Sequence, residues 1–292
     1  MHETVFKNHF QRTESLPVPQ GRLLFFGDNR FAKFPASKNG SFTRTLNYCF
    51  SLSLGIEKTV MKIPGFIDDF ISLLYPRVCA ACGNSLFKHE EIICTYCLYH
   101  LPKTNYHLMP DSPLDKVFWG RAQLANTAAL YTFQKKSKVQ HLIHQLKYRG
   151  RMDVGIHLGK ILGADLAKAE TFNDVTKVIP VPLHPEKQRK RGYNQSEQIA
   201  IGLARAMNIE MDATSFIRTV DTSTQTRKSR FARWENVKEI FKVTNPEAIA
   251  RQHILLVDDV ITTGATLESA AHILLDIEGV KLSVACIGYA RE

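Results

Sequence analysis

The hydrophobic pattern between His253 and Glu268 changes from a continuous apolar run to a helical spacing. Four apolar residues, from Ile254 to Val257, have the length and β-branched content of a buried strand. Two acids, Asp258 and Asp259, come next, and a hydroxyl-rich turn follows them. The turn consists of Thr262, Thr263, Gly264, Ala265 and Thr266. Beyond it, the apolar residues recur at three- and four-residue intervals, which predicts a helix.

Strand and helix patterns alternate along the preceding part of the chain, which is typical of an α/β fold. The predicted strands are 126–133, 177–181, 254–257 and 280–288, and the predicted helices begin near Lys138, Val154 and Tyr193. The first of these helices has Ser137 as its N-cap and ends before Gly150. For Lys147 and Arg149 near its end, the pattern slightly favours surface charges that compensate the helix dipole over a role at an anionic site.

A basic segment follows the strand at 177–181 and makes a second strand–loop–helix unit, which we expect to carry its cations on a loop. The loop contains Lys187, Arg189, Lys190, Arg191 and Gly192. Alone, such a run is typical of a solvated surface or of a nucleic-acid patch. Beside the acidic turn it predicts a site for the charged end of a ligand.

The acidic turn suits a sugar phosphate. Free N–H groups and the positive dipole end of the following helix favour a phosphate group, and Gly264 permits close approach of the backbone. Asp258 and Asp259 would repel a phosphate, but they suit two vicinal hydroxyl groups of a ribose. The alternative interpretation is an ordinary strand, loop and helix with two solvated acids.

Four cysteines in two pairs precede the alternating elements. The pairs are Cys79-Ala-Ala-Cys82 and Cys94-Thr-Tyr-Cys97. Each pair can hold one metal ion from a tight turn, and four thiolates complete a tetrahedron around Zn²⁺. Disulfides are the alternative, and a reducing cytosol disfavours them. Because four thiolates leave no open coordination position, we predict that the zinc is structural.

Composition adds a net charge of +10, from 38 basic and 28 acidic residues, which implies affinity for anions. No apolar run approaches the roughly 18 residues that a membrane helix needs, and the amino terminus lacks a signal-peptide pattern. We therefore expect a cytoplasmic protein without a membrane span. Residues 1–60 show no sustained period. They are a disordered basic arm, an accessory segment or an extension upstream of a true start at Met61, and intact mass of the natively expressed protein tests the third option.

At the acidic turn, ILLVDDVITTGAT resembles the phosphoribosyl pyrophosphate (PRPP) signature of type I phosphoribosyltransferases. Together with VIPVPLHPEKQRKRGYNQSEQIA, the LKYRG sequence and the preceding cysteine pairs, it resembles the ComF family over about residues 61–292. The resemblance implies a type I phosphoribosyltransferase fold with a parallel sheet core, preceded by a small zinc knuckle. Its expected parts are an unassigned segment 1–60, a helix and knuckle at 61–105, and a phosphoribosyltransferase-like domain at 106–292.

The resemblance also implies a site. The turn from Thr262 to Thr266 and the two acids would bind PRPP with Mg²⁺, and the basic loop would bind its pyrophosphate. A flexible loop would close over the ligand with Thr224, Gln225, Arg227 and Arg233. Purine-salvage relatives carry Asp where Thr262 stands, which argues against a purine acceptor.

Two functions follow from the resemblance. The first is transfer of phosphoribose to an acceptor, linked to DNA uptake in competent bacteria, with no general base or acceptor assigned. The second is a non-catalytic competence factor that binds single-stranded DNA, for which the basic runs and interleaved aromatic residues are suitable. The partners that the resemblance implies are PRPP, single-stranded DNA and the competence helicase machinery.

Overall fold

A computed structural model describes residues 76–219 and 240–290 of the chain. Its main sheet has five strands, which are β1 Thr127–Phe133, β2 Lys177–Pro180, β3 Glu210–Met211, β6 His253–Ile261 and β7 Lys281–Ala290. Their order across the sheet is β1-β7-β6-β2-β3, and all four neighbouring pairs are parallel. The expected parallel α/β core is confirmed. A separate antiparallel pair joins β4 Phe216–Arg218 to β5 Phe241–Val243.

Helices cover both faces of this sheet, as parallel sheets require. The described helices are α1 Thr95–His100, α2 Pro113–Phe118, α3 Lys138–Tyr148, α4 Met152–Leu166, α5 Pro185–Arg191, α6 Gln195–Met207 and α7 Ala265–Leu275. One apolar cluster contains residues of α3, α4 and α6 together with Leu255 and Val257 of β6. The other contains residues of α2 and α7 together with Ile254 and Leu256. Alternate residues of β6 therefore face opposite layers.

Helices α4 and α6 cross at very short range because glycines lie at their contact. A Cβ atom on Gly159 would lie 2.0 Å from the carbonyl oxygen of Ile199, and one on Gly202 would lie 2.0 Å from that of Ile156. The two glycines let each backbone approach the other directly. The contact fixes α6, whose first turn lies at the carboxyl edge of the sheet.

The structure corrects two of the expectations. The strand predicted at 254–257 continues to Ile261, since β7 pairs with it as far as Ile261↔Tyr289, so Asp258 and Asp259 lie inside the strand. The basic loop is a helix, α5, rather than an irregular segment. Pro185 at its first position favours this helix, its last-turn cations complement its dipole, and Gly192 at φ 87° ends it.

Several expectations fall outside the described residues. These are the unassigned segment 1–60, the helix expected near 61–75, and the flexible-loop residues Thr224, Gln225, Arg227 and Arg233. Within the described ranges, none of the helices combines the length and apolarity that a bilayer crossing requires.

Candidate functional site

The acidic turn and the basic helix leave the same edge of the sheet. Strands β2 and β6 are parallel neighbours, with Pro180 aligned to Val257, and the amide of Val181 donates to the carbonyl of Val257 at 2.8 Å. Helix α5 follows β2 after four residues, and the turn from Thr262 to Gly264 follows β6 directly. Since carboxyl ends of parallel strands share one edge, the two segments lie at the same edge of the sheet, where α/β proteins commonly hold ligands.

The turn after β6 has an open helix terminus. Gly264 is the N-cap of α7, with φ 75°, and no side chain caps this end of the helix in the described structure. The N–H groups of the first turn are therefore left for water or a ligand. A cavity of about 50 Å³ opens here, lined by Asp258 and by the segment from Val260 to Leu267.

Neighbouring side chains hold this turn in place. Arg121 donates from Nη1 to the carbonyl oxygen of Thr263 at 2.7 Å and from Nε to the carboxylate of Glu268 at 3.1 Å. A Cβ atom on Gly264 would lie 2.9 Å from Val117 and 3.1 Å from Phe118, both in α2. Glycine is thus required at this position by backbone conformation and by packing.

The two acids of β6 have different partners. The carboxylate of Asp258 accepts from the hydroxyl of Ser196 at 3.0 Å and from the amide of Asp259 at 2.8 Å. Burial, with the charge of Asp259 in addition, raises the pKa of Asp258 to about 7. Asp259 forms an ion pair with Lys147, whose Nζ lies 2.9 Å from Oδ1. Lys147 of α3 therefore compensates part of the negative charge of the two acids.

The predicted basic residues lie on and beside α5. Arg189, Lys190 and Gly192 are exposed, whereas Lys187 and Arg191 are half-buried. Arg191 donates to the side-chain oxygen of Gln195 at 2.6 Å, and its guanidinium lies 5.6 Å from the centre of the Tyr148 ring. Helix α5 thus presents a cluster of cations at the same edge as the acidic turn.

Comparisons with known proteins agree with this architecture. Residues 190–291 match the family described as "Phosphoribosyl transferase domain". The "DNA utilization protein YhgH" of Escherichia coli (strain K12) is 29% identical over 214 residues, which are 72% of this chain and 89% of that protein. The "Competence protein ComFC" of Bacillus subtilis (strain 168) is 25% identical over 201 residues, 68% of this chain and 78% of that protein. These relatives and the matched domain support an assignment to the ComF family.

The sheet and the matched domain together constitute a type I phosphoribosyltransferase fold. The "Competence protein F" of Haemophilus influenzae is 30% identical over 137 residues, which are 46% of this chain and 60% of that protein. A solved glutamine PRPP amidotransferase from B. subtilis, complexed with ADP and GMP, is 21% identical with a TM-score of 0.35. That match covers 48% of this chain and 30% of the amidotransferase.

The four predicted cysteine ligands lie close together in space, in the part of the chain that precedes the phosphoribosyltransferase domain. Their sulfur atoms all lie within 4.8 Å of one another, and those of Cys82 and Cys94 are 3.8 Å apart. A tetrahedral Zn–S₄ site with bonds of about 2.3 Å has sulfur atoms about 3.8 Å apart, so the cluster fits a zinc ion. Burial raises the pKa of the Cys79 thiol, but amide donors that include Cys94 bring the pKa down to about 7. This cluster could hold a metal such as zinc.

Three residues at the site were not assigned from the sequence. Ser196 contacts Asp258, Arg121 contacts the turn, and Lys147 contacts Asp259. Ser196 was visible as a polar residue in the first turn of a helix after the basic segment. Arg121 had no recognisable signal, because its partner Glu268 is far away in the sequence.

Proposed function

We propose that the chain binds PRPP together with Mg²⁺ at the carboxyl edge of the sheet and acts there as a phosphoribosyltransferase-like protein. The observation that carries the proposal is the placement of the acidic turn and the basic helix after two adjacent parallel strands. This edge of the sheet thereby offers anion-binding groups at two places and two carboxylates on β6. A ligand with a phosphate at each end and a diol in the middle matches that distribution of charge.

Each part of PRPP has a counterpart in this arrangement. The 5′-phosphate would accept hydrogen bonds from the first turn of α7 and from the hydroxyls of Thr262, Thr263 and Thr266. The carboxylates of Asp258 and Asp259 would accept hydrogen bonds from the ribose hydroxyls. The cations of α5 would bind the pyrophosphate, and Mg²⁺, held mainly by ligand oxygens, would compensate its remaining charge.

The same contacts would support transfer of the phosphoribosyl group. When the bond between C1 and the pyrophosphate oxygen breaks, the electron pair leaves with pyrophosphate, and the acceptor forms the new bond to C1. Cations of α5 such as Arg189 and Lys190 would stabilise the charge that develops on the leaving group. Arg121 would keep the turn fixed, so that the 5′-phosphate anchors the sugar.

Replacing both acids tests PRPP binding. We expect Asp258→Asn combined with Asp259→Asn to abolish detectable binding of Mg–PRPP by calorimetry, because two charged acceptors for the diol are lost, and to leave the circular dichroism spectrum unchanged. The double variant Asp111→Asn with Asp276→Asn makes the same charge change at exposed positions and serves as the control. Equal affinity in the wild-type chain and the Asp258/Asp259 variant would refute the assignment.

For the cysteine cluster we propose a structural Zn²⁺ ion, because the spacing of the sulfur atoms fits four thiolate bonds. The cluster is tied to the domain, since Gln145 of α3 donates to the carbonyl of Ala80 at 3.1 Å. We expect elemental analysis to find about one zinc per chain and Cys97→Ser to lose it with a clear fall in melting temperature. A metal-free chain whose melting is unchanged by Cys97→Ser would contradict this.

Single-stranded DNA binding is the second candidate, as the names of the relatives and one surface favour it. Tyr99 and Tyr96 of α1 are 85% and 62% exposed, His100 stacks on Tyr96, and Lys138 lies over the same ring. Exposed rings beside cations suit stacked bases and phosphates.

This second candidate predicts salt-dependent affinity for an unstructured oligonucleotide. Combining Tyr96→Ala with Tyr99→Ala should weaken binding about tenfold or more, since each stacked base contributes about 1–3 kcal/mol. Phe87→Ala removes another exposed ring, which lies against His89 rather than under a lysine, and should change little. Fluorescence anisotropy of a labelled oligonucleotide at low salt measures the affinity of both variants. If the wild-type chain does not bind at low salt, this candidate function is removed.

A further inference from the structure

The carboxyl end of α3, the LKYRG sequence, lies between the two halves of the site. Lys147 forms the ion pair with Asp259 on the acidic strand. Tyr148 lies under the guanidinium of Arg191 on the basic helix, and the backbone carbonyl of Leu146 accepts from the hydroxyl of Tyr193. Consecutive residues of one helix thus contact both segments. The carboxyl end of α3 therefore bridges the acidic strand and the basic segment.

The ion pair of Lys147 is not typical of a surface charge. The side chains of Lys147 and Asp259 are 23% and 12% exposed, and they belong to elements more than 100 residues apart in the sequence. Burial of a carboxylate is costly unless a cation or hydrogen bonds compensate it. Lys147 therefore compensates the charge of Asp259, and its side chain is half-buried rather than the solvated surface charge that the sequence slightly favoured.

The chemistry of PRPP gives Lys147 a second anionic partner besides Asp259, the pyrophosphate. Pyrophosphate is attached to C1 of the sugar, and the diol lies on the adjacent carbons C2 and C3. A cation that touches the diol-binding carboxylate is therefore within a side-chain rotation of the pyrophosphate oxygens. Because a lysine has four rotatable carbon–carbon bonds and a compact charge, it can exchange one anionic partner for another.

We propose that Lys147, which pairs with Asp259, is a ligand-binding residue of the site and turns to the pyrophosphate when PRPP binds. This inference rests on the proposed function and adds a residue from α3 to it. The diol takes over the oxygens of Asp259, and the freed ammonium meets the leaving group beside Arg191. Lys147 thereby adds one cation to those that α5 offers to the pyrophosphate.

The test is a set of three titrations with Lys147→Met. Calorimetry would measure Mg–pyrophosphate, Mg–PRPP and ribose 5-phosphate against the wild-type chain and against Lys160→Met, which removes an exposed lysine from α4. We expect Lys147→Met to weaken Mg–pyrophosphate and Mg–PRPP about tenfold to a hundredfold, as loss of a charge-assisted contact does. Ribose 5-phosphate should change less than about threefold, because it lacks the pyrophosphate. Lys147→Arg should retain most of the affinity.

Three results would overturn the inference. They are unchanged pyrophosphate affinity in Lys147→Met, an equal loss for all three ligands, and an equal loss in Lys160→Met. The melting temperature of each variant shows whether it is folded. A wild-type chain that binds pyrophosphate through Lys147 but not PRPP would support the lysine contact and contradict the proposed function. A wild-type chain that binds neither would overturn both.

Discussion

Gly159→Ala is expected to destabilise the chain by about 3 kcal/mol or more, because overpacking against rigid backbone cannot relax. The added Cβ would lie 2.0 Å from the carbonyl oxygen of Ile199 and 3.0 Å from the amide nitrogen of Leu203. Both are backbone atoms of α6, so the two helices must separate. Since α6 carries Ser196 to the acidic strand, the variant should also lose ligand binding.

Thermal unfolding followed by circular dichroism measures this effect as a fall in melting temperature of about 10 °C, or as failure to fold. Gly155→Ala is the matched control in the same helix. Its Cβ would lie 2.9 Å from a terminal methyl of Leu146, which can move, and 2.9 Å from the Cβ of Gln198, so no backbone atom is met as closely as at Gly159. We expect a smaller loss there. Equal melting temperatures for Gly159→Ala and the wild-type chain would show that α4 and α6 do not cross as described.

Asp258→Asn is expected to increase stability at neutral pH while it weakens PRPP binding. Burial and the charge of Asp259 raise the pKa of Asp258 from 3.8 to about 7, so ionisation of this acid opposes folding. Between pH 4 and pH 7, Asp258 is ionised in the unfolded chain but largely protonated in the folded chain. The stability cost therefore grows as the pH rises through this window and is complete above about pH 7. Asparagine keeps the oxygen that accepts from Ser196 but has no charge.

The gain in free energy of unfolding should be about 2 kcal/mol or more at pH 8 and should shrink toward pH 5. PRPP affinity should fall about tenfold to a hundredfold, because a charged acceptor for the sugar hydroxyl is lost. Denaturant unfolding at both pH values and calorimetry measure the two effects. Asp276→Asn, at an exposed position, controls for net charge. A loss of stability at pH 8 would contradict the description of Asp258 as a buried acid with a raised pKa.

The sequence predicted the positions along the chain of four strands of the main sheet, because their apolar runs are short, regular and separated by turn residues. Strands β1, β2, β6 and β7 all formed where the pattern placed them, within a few residues. The end of β6 was misjudged because polar residues usually mark the end of a strand. In this protein β7 continues to pair beside Asp258 and Val260.

The basic segment shows the limit of local signals in another way. Its charges suggested an irregular loop, but Pro185 and Gly192 have the positions of a helix start and a helix end. The contacts of Lys147 and Arg121 were beyond any local pattern, because their partners lie on distant segments. Pairings of this kind depend on how α2 and α3 pack on the sheet, which the spacing of residues along the chain does not encode.

A crystal structure of the chain with Mg²⁺ and PRPP tests the central claim most directly. We predict density for the 5′-phosphate at the first turn of α7, for the ribose hydroxyls at Asp258 and Asp259, and for the pyrophosphate beside α5. Both ends of one molecule would then be held by loops of two neighbouring strands. Density for PRPP elsewhere on the chain, or a site that stays free of ligand at saturating concentration, would contradict the account.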